Sequence, residues 1–550
     1  MLKLATLIDN PGEPPVETRY RDPQQLKQLG YNAMAIYETT ALSGLESADV
    51  IASSELRRWV AGQIDHIGRR IDAATAAGLK VYFFYDVLVL PEDVVQRNAA
   101  RLTCRNRPTT LCPGSDQAIA LSVAALKSIL TRWPQVEGVA LRFGDTDAPR
   151  LLHLVGNDIY APHCPRCSNL DKTDRIARIL ERFYDLVVRQ MDKRLIARAW
   201  NVRPNGLHDS AELARRVAAQ LPGPEDDDRL MLSFKFTQTD FWRYQKWNPS
   251  SLVFGKRSIL YELQCQREFE GKGGIPNWQA PLWRDGYPET REQSDVHGLA
   301  EAAERVNLAG LWAWVRGGGW GGPFLKNETW VDANVMAAAR LADDPGAEPE
   351  ALAKEWIQER LAVRDPAAQR VLTEILEQSP EMVRQAFYIG PAARSRPTAW
   401  HPSDDWIQDD VLDARAAWRI IQRLPESQLD EVVREKELAA AQAARGRAQL
   451  QHLLGDQPAP TLDAMVNTLL YAESFFEVLR DLLAGLVAYR RYLKHKTPGT
   501  AEVARQKLFA AQSHWNHHAQ RHGALPGTAT SFREVHFWEL TQEIIGELMG

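Results

Sequence analysis

Two periodicities divide the chain. Over the first two thirds, short β-branched and aromatic runs recur at LATLID (4–9), NAMAIYE (32–38), KVYFFYDVLVL (80–90), GVALRFG (138–144), RLIARAW (194–200), RLMLSFKF (229–236), SILYEL (258–263) and GLWAWV (310–315). Between most of them, as in ELRRWVAGQIDHIGRRIDAATAAG and DQAIALSVAALKSILTRW, apolar residues return every three or four positions. Near-continuous apolar strands alternating with amphipathic helices mark a parallel sheet covered on both faces. Eight such strands predict an α/β fold, a (β/α)8 TIM barrel over residues 1–331. A doubly wound open sheet is the alternative.

After GGPFLKNETW the strand pattern stops, and long helical segments such as LDEVVREKELAAAQAARGRAQLQHLLG fill residues 332–550. This half predicts an appended α-helical C-terminal domain, with RSRPTAWHPSDDW as its clearest loop. Its apolar faces can pack on the barrel or pair two copies as a homodimer.

Composition narrows the function. The 550 residues are 45% hydrophobic and 25% charged with a formal net charge of -5, and no basic stripe suited to nucleic acid stands out. The start, MLKLATLIDNPGEPP, is too short in its apolar run and too weakly charged for a signal peptide, so it reads as the first strand. TLLYAESFFEVLRDLLAGLVAYRRYL is interrupted by Glu473, Glu477, Arg480 and Asp481, which argues against a membrane span. Five cysteines without a secretion signal fit a reducing cytoplasm.

In a barrel the active site lies at the C-terminal ends of the strands. There this sequence places Arg142, Asp145 and Asp147 after strand 4, Arg198 and Trp200 after strand 5, and Lys235, Asp240 and Trp242 after strand 6. Strand 7 adds Glu262 and Glu268, and strand 8 adds Arg316 and Trp320. Any one of these charges taken alone is as readily a structural ion pair. Their convergence on one rim has a chemical meaning: glycoside hydrolysis needs one carboxylic acid for the leaving oxygen and a carboxylate that activates water or attacks the anomeric carbon. Nine of the 17 tryptophans fall between positions 200 and 330, and indole faces suit sugar rings. Cations beside them suit a substrate that carries its own carboxylate. The residues thus point to a glycosidase for an acidic oligosaccharide, with neither cofactor nor metal in its chemistry.

Lys235 with Asp240-Phe241, then Glu268 within ELQCQREF and APLW at 280–283, resembles the catalytic core of glycoside hydrolase family 67, the α-glucuronidases. Fainter similarities run through IDN (8–10), GLKVYFF and ARLADDPGAEPEALAKEWI. The resemblance implies release of α-linked glucuronic or 4-O-methylglucuronic acid with inversion, Asp240 and Glu268 sharing the activation of water. It implies Arg142, Arg198 and Lys235 as the cations that hold the uronate and Asp145 as the acid; from their places at the strand ends, Trp242, Glu262 and Trp320 are expected to line the substrate. The family has a lysine where Arg142 stands, a glutamate as acid where Thr146 stands, and a separate domain before its barrel. Galacturonate is the alternative sugar, and a non-catalytic carbohydrate-binding barrel the alternative class.

Three further motifs are less specific. APHCPRCSNLD carries His163, Cys164 and Cys167, half of a zinc site that His153 or Cys112 could complete, though reduced thiols in a long loop are the preferred reading. RGGGWGG lacks the lysine of a phosphate loop and reads as a flexible substrate loop. SHWNHHAQRH (513–522) reads as a solvated helix face.

Overall fold

Eight parallel strands form a closed barrel in a computed structural model that describes residues 1–8, 17–36, 51–144, 153–201, 204–317, 327–395, 412–454, 460–522 and 534–550. They are β1 (Leu2–Ile8), β2 (Ala33–Ile36), β3 (Lys80–Asp86), β4 (Gly138–Gly144), β5 (Arg194–Asn201), β6 (Leu230–Lys235), β7 (Ser258–Gln264) and β8 (Asn307–Gly317). Each pairs with its sequence neighbours, and β1 closes the ring against β8 with Leu2 opposite Gly310. A Cβ on Gly310 would stand 2.0 Å from the Leu2 carbonyl oxygen, so the closing seam requires glycine there.

The apolar runs become strands because both faces are covered: the barrel interior on one side, helices on the other. Four of those helices, α1 (Ser54–Ala76), α2 (Asp116–Arg132), α3 (Lys172–Tyr184) and α4 (Ala211–Ala218), open on Ser53, Ser115, Asp171 and Ser210. Each of those side chains accepts a hydrogen bond from a first-turn backbone N–H. The predicted run 80–90 divides: β3 ends at Asp86, Leu88 turns the chain at φ 50, and Leu90–Pro91 forms a separate short strand against Leu154–Val155.

The helical half follows as α5 (Thr329–Asp343), α6 (Pro366–Phe387), α7 (Leu429–Leu454), α8 (Pro460–His495), α9 (Pro498–His522) and α10 (Phe537–Met549). A two-residue ladder, Leu412–Asp413 with Glu534–Val535, is a strand pairing too short for the sequence pattern to announce. Helix α5 straddles the expected boundary at 331/332, and its buried residues belong to the same apolar cluster as the barrel strands. A second cluster lies within α6 to α10 and takes in Trp242, Tyr244, Phe269 and Ile275 from the segments after β6 and β7. Among the described residues no helix is long and apolar enough to cross a membrane.

The reading of 513–522 as a solvated face needs correction. His514 and His517 keep exposure, but His518 and His522 are buried, both within reach of the Ser474 hydroxyl, with Tyr471 against their rings. Burial in this apolar setting holds both rings neutral, pushing His518 down to about 3 and His522 to about 4.

Candidate active site

Register builds the site. Asp86 of β3 lies opposite Arg142 of β4, Arg142 opposite Arg198 of β5, and Arg198 opposite Ser233 of β6. Lys235 lies opposite Glu262 of β7, and Glu262 opposite Trp312 of β8. Residues so paired point to the same face of a sheet, here into the barrel.

Inside, these side chains satisfy one another. Arg142 forms a two-pronged ion pair with Asp86, its Nη2 2.6 Å from Oδ2. Arg198 Nε and Nη2 donate to Glu262, whose carboxylate also accepts from Ser233 Oγ at 2.7 Å and Trp314 Nε1 at 3.0 Å. Trp312 and Trp314 stack at 5.2 Å, both edge-on to Phe84, and the Arg198 guanidinium lies 4.8 Å from the Trp314 ring. This layer of aromatic rings and paired charges is the floor of the barrel mouth.

Above it, the Lys235 ammonium sits 3.5 Å from the centre of the Trp200 ring and 4.6 Å from that of Phe241, and donates to Asp240 Oδ1 at 2.5 Å. The Phe241 N–H donates to the same Asp240 oxygen at 2.8 Å, which fixes the carboxylate at the start of its loop. Trp200 is backed by the edge of His208, at 5.0 Å. Burial, followed by the charges of Lys235 and Arg198, pushes His208 down to about 3, so its ring is neutral. With the carbonyls of Thr237 and Thr239 beside Nε2, that nitrogen carries the hydrogen, leaving Nδ1 to accept from Asn248.

Across the mouth, Glu268 is held at both ends by Gln264. The Glu268 N–H donates to Gln264 Oε1 at 2.9 Å, and Gln264 Nε2 donates to Glu268 Oε2 at 2.8 Å. Glu268 and Asp240 both retain partial exposure, whereas Asp86 and Glu262 are fully buried. Two residues further on, buried Glu270 accepts from Arg267, Asn277 and the Tyr388 hydroxyl, tying this loop to the helical half.

The structure therefore brings Arg142, Arg198, Lys235, Asp240, Glu262 and Glu268 to one mouth. Arg142, Arg198 and Glu262 sit deep in it, locked to protein partners. Trp242 is buried and packs against Phe269 at 5.6 Å in the cluster shared with the helical half. Arg316 is also buried, with Glu328 at 3.0 Å and its Nη1 donating to the Lys272 carbonyl. Asp145, Asp147, Trp320 and most of the glycine run lie outside the described residues. Sequence reading passed over Asp86, Gln264 and His208. Asp86 had a usable signal, a lone carboxylate inside the apolar run at 80–90, while Gln264 and His208 gain their roles only through the geometry of the loops they face.

The closed barrel, its polar mouth and the helical half behind two of its loops can be set beside known structures. Neither a protein-family model nor a curated protein matches the chain in sequence. In fold, the whole chain superposes on 67% of a GH138 enzyme targeting pectin rhamnogalacturonan II, with a TM-score of 0.58 at 10% identity. Its architecture is shared with that glycoside hydrolase. Weaker matches are an O-GlcNAc hydrolase of Thermobaculum terrenum (99% of this chain, 94% of that one, TM-score 0.43, 9% identity) and CpGH84B (100% and 76%, TM-score 0.43, 10% identity). At such identities the likeness is one of fold.

Proposed function

We propose that the protein is a glycoside hydrolase that releases an α-linked uronic acid, glucuronic acid or its 4-O-methyl ether, from the non-reducing end of an oligosaccharide. The observation that carries this reading is the pair Asp240 and Glu268. They lie on the segments that follow adjacent barrel strands, keep partial exposure, and are each oriented by a fixed polar group, Lys235 and Gln264.

Two positioned carboxylates can hold a water and accept its proton as it attacks the anomeric carbon, which inverts the configuration there. Asp145, which follows β4, is the proposed acid for the leaving oxygen. Lys235 and Trp200 at the upper tier would meet the sugar, while Arg198 and Arg142 beneath, paired with Glu262 and Asp86, would hold the floor on which it rests. Cleavage of short oligosaccharides in the cytoplasm suits this reading.

A second reading rests on the pairing itself. Each of the three cations already faces a carboxylate, Asp86, Glu262 or Asp240, so the mouth has less uncompensated positive charge than three bare cations would give. That favours a weaker demand for a uronate, and makes neutral sugars the substrates to compare with glucuronate and galacturonate.

The deciding assay is sugar release from a panel of α-linked glucuronyl, galacturonyl and neutral oligosaccharides, with the anomer of the product followed by NMR. Asp240→Asn and Glu268→Gln should each lower turnover by about 10²–10⁴-fold without changing the fold. Retained activity in both variants would remove the pair from the chemistry, and release of neutral sugars alone would overturn the uronate.

A further inference from the structure

The four cysteines Cys104, Cys112, Cys164 and Cys167 come from two segments that never meet in sequence. Thr103–Cys104 pairs with Arg107–Leu111 in a tight antiparallel hairpin with an irregular register, Thr103 opposite Leu111 and Cys104 opposite Arg107, and Cys112 follows directly. Cys164 precedes the one-turn helix Pro165–Ser168, which carries Cys167. The four sulfurs lie within 4.8 Å of one another, with 3.9 Å from Cys104 to Cys167, 3.6 Å from Cys112 to Cys164 and 3.6 Å from Cys164 to Cys167.

We propose that these four thiolates bind a single structural zinc ion. A tetrahedron with zinc–sulfur bonds of about 2.3 Å has sulfur–sulfur edges of about 3.8 Å; the three edges given above, at 3.6–3.9 Å, match it, and all six lie within 4.8 Å. His163 is not a ligand: its ring faces Asp158 and Arg107, and His153 lies against Trp59.

Three features separate a metal site from thiols buried as small apolar groups. First, the four cysteines form a buried cluster of their own, detached from the barrel core and holding no other apolar side chain. Leu102 and Leu111 beside it reach into the barrel's apolar cluster and anchor the segment, which leaves the four sulfurs facing one another rather than the core. Second, the His163 backbone N–H points at Cys167 Sγ at 3.2 Å, the kind of N–H contact that stabilises a sulfur carrying negative charge. Third, cations are near: buried Arg175 donates to the carbonyls of Ile159, Cys167 and Leu170, and Arg166 to those of Arg101 and Thr103. They brace the backbone around a centre whose charge, four thiolates less the two of zinc, would be about -2. The two segments also touch closely at Gly114, where a Cβ would stand 2.7 Å from the Arg166 carbonyl oxygen.

The site would work as a rivet. The hairpin belongs to the excursion after β3, and the Cys164–Cys167 turn to the segment after β4. The same two excursions are laced by the Leu90–Pro91/Leu154–Val155 ladder and by Asn157 Nδ2, which donates to the Val87 and Leu88 carbonyls. They leave the strands whose ends carry Asp86 and Arg142.

The full chain, purified without chelators from zinc-supplemented cells, should hold about one zinc per molecule by elemental analysis. A mercurial that titrates the thiols should release it stoichiometrically. Replacement by Co²⁺ should give the visible bands of a tetrahedral tetrathiolate, and hydrogen exchange should rise in 87–115 and 153–171 when the metal is stripped, with the barrel strands unchanged. Cys104→Ser/Cys167→Ser should fall below a tenth of a zinc per chain. Reduced, folded parent protein that holds no zinc and shows no cobalt spectrum would overturn the proposal without recourse to any variant.

Discussion

Glu262 takes hydrogen bonds from Arg198, Ser233 and Trp314 at the centre of the barrel, so removing its charge strands a buried guanidinium. Glu262→Gln should therefore destabilise the protein by about 3–5 kcal/mol in urea denaturation. Asp240→Asn should cost far less stability, because Asp240 keeps some exposure, while losing turnover. If the two variants behaved alike, the division between a structural floor and a reactive rim would fail. His518 supplies a pH signature. The unfolded chain takes up its proton near the ordinary pKa of about 6.5, whereas the folded chain resists until about 3. Its contribution is complete above pH 6.5 and is lost as pH falls through that window, at about 1.4 kcal/mol per pH unit. His518→Gln should flatten the pH dependence of stability between pH 6.5 and 4 by that slope, and an unchanged slope would mean that the ring is already charged in the fold.

At the scale of elements, the loops after β6 and β7 have two faces. One presents Asp240 and Glu268 to the mouth; the other buries Trp242, Tyr244 and Phe269 against helices α6 to α8. Tyr388 links them, its hydroxyl accepting from the Arg243 N–H at 2.8 Å and donating to Glu270 at 2.6 Å. Tyr388→Phe should cost about 1–3 kcal/mol and raise hydrogen exchange around 240–245; protected amides there would mean that the loop is held by packing alone. This scale also shows what sequence could carry. The strands were legible because parallel sheets leave uninterrupted apolar runs, and the placing of Lys235 at a strand end, with Asp240 and Glu268 on the segments after β6 and β7, followed from where those runs stop. The partners of Arg142 and Arg198 were not, since Asp86 and Glu262 are assigned by register across strands. Trp242 misled for a related reason: an indole beside a reactive loop looks the same in sequence whether it faces a sugar or a helix. The cysteine cluster was visible as Cys164 and Cys167 with Cys112 as one candidate partner, while Cys104, more than fifty residues earlier, gave no signal.

For the whole molecule, the apolar clusters run across the line between barrel and helices. A chain ended after residue 343 would expose Trp242, Tyr244, Phe269 and Ile275, each worth about 1.5–3 kcal/mol when buried. Such a fragment should be insoluble or non-native, whereas a soluble fragment with native circular dichroism would make the halves independent. The seam between β1 and β8 has a consequence in time. During synthesis, β1 can pair with β2 almost at once, but its other edge must wait for a strand about three hundred residues downstream. At translation rates of about 5–20 residues per second, that edge stays open for roughly 15–60 s. Neighbouring nascent chains on one messenger would carry the same unpaired edge during that interval, which makes this edge a place for a chaperone to act.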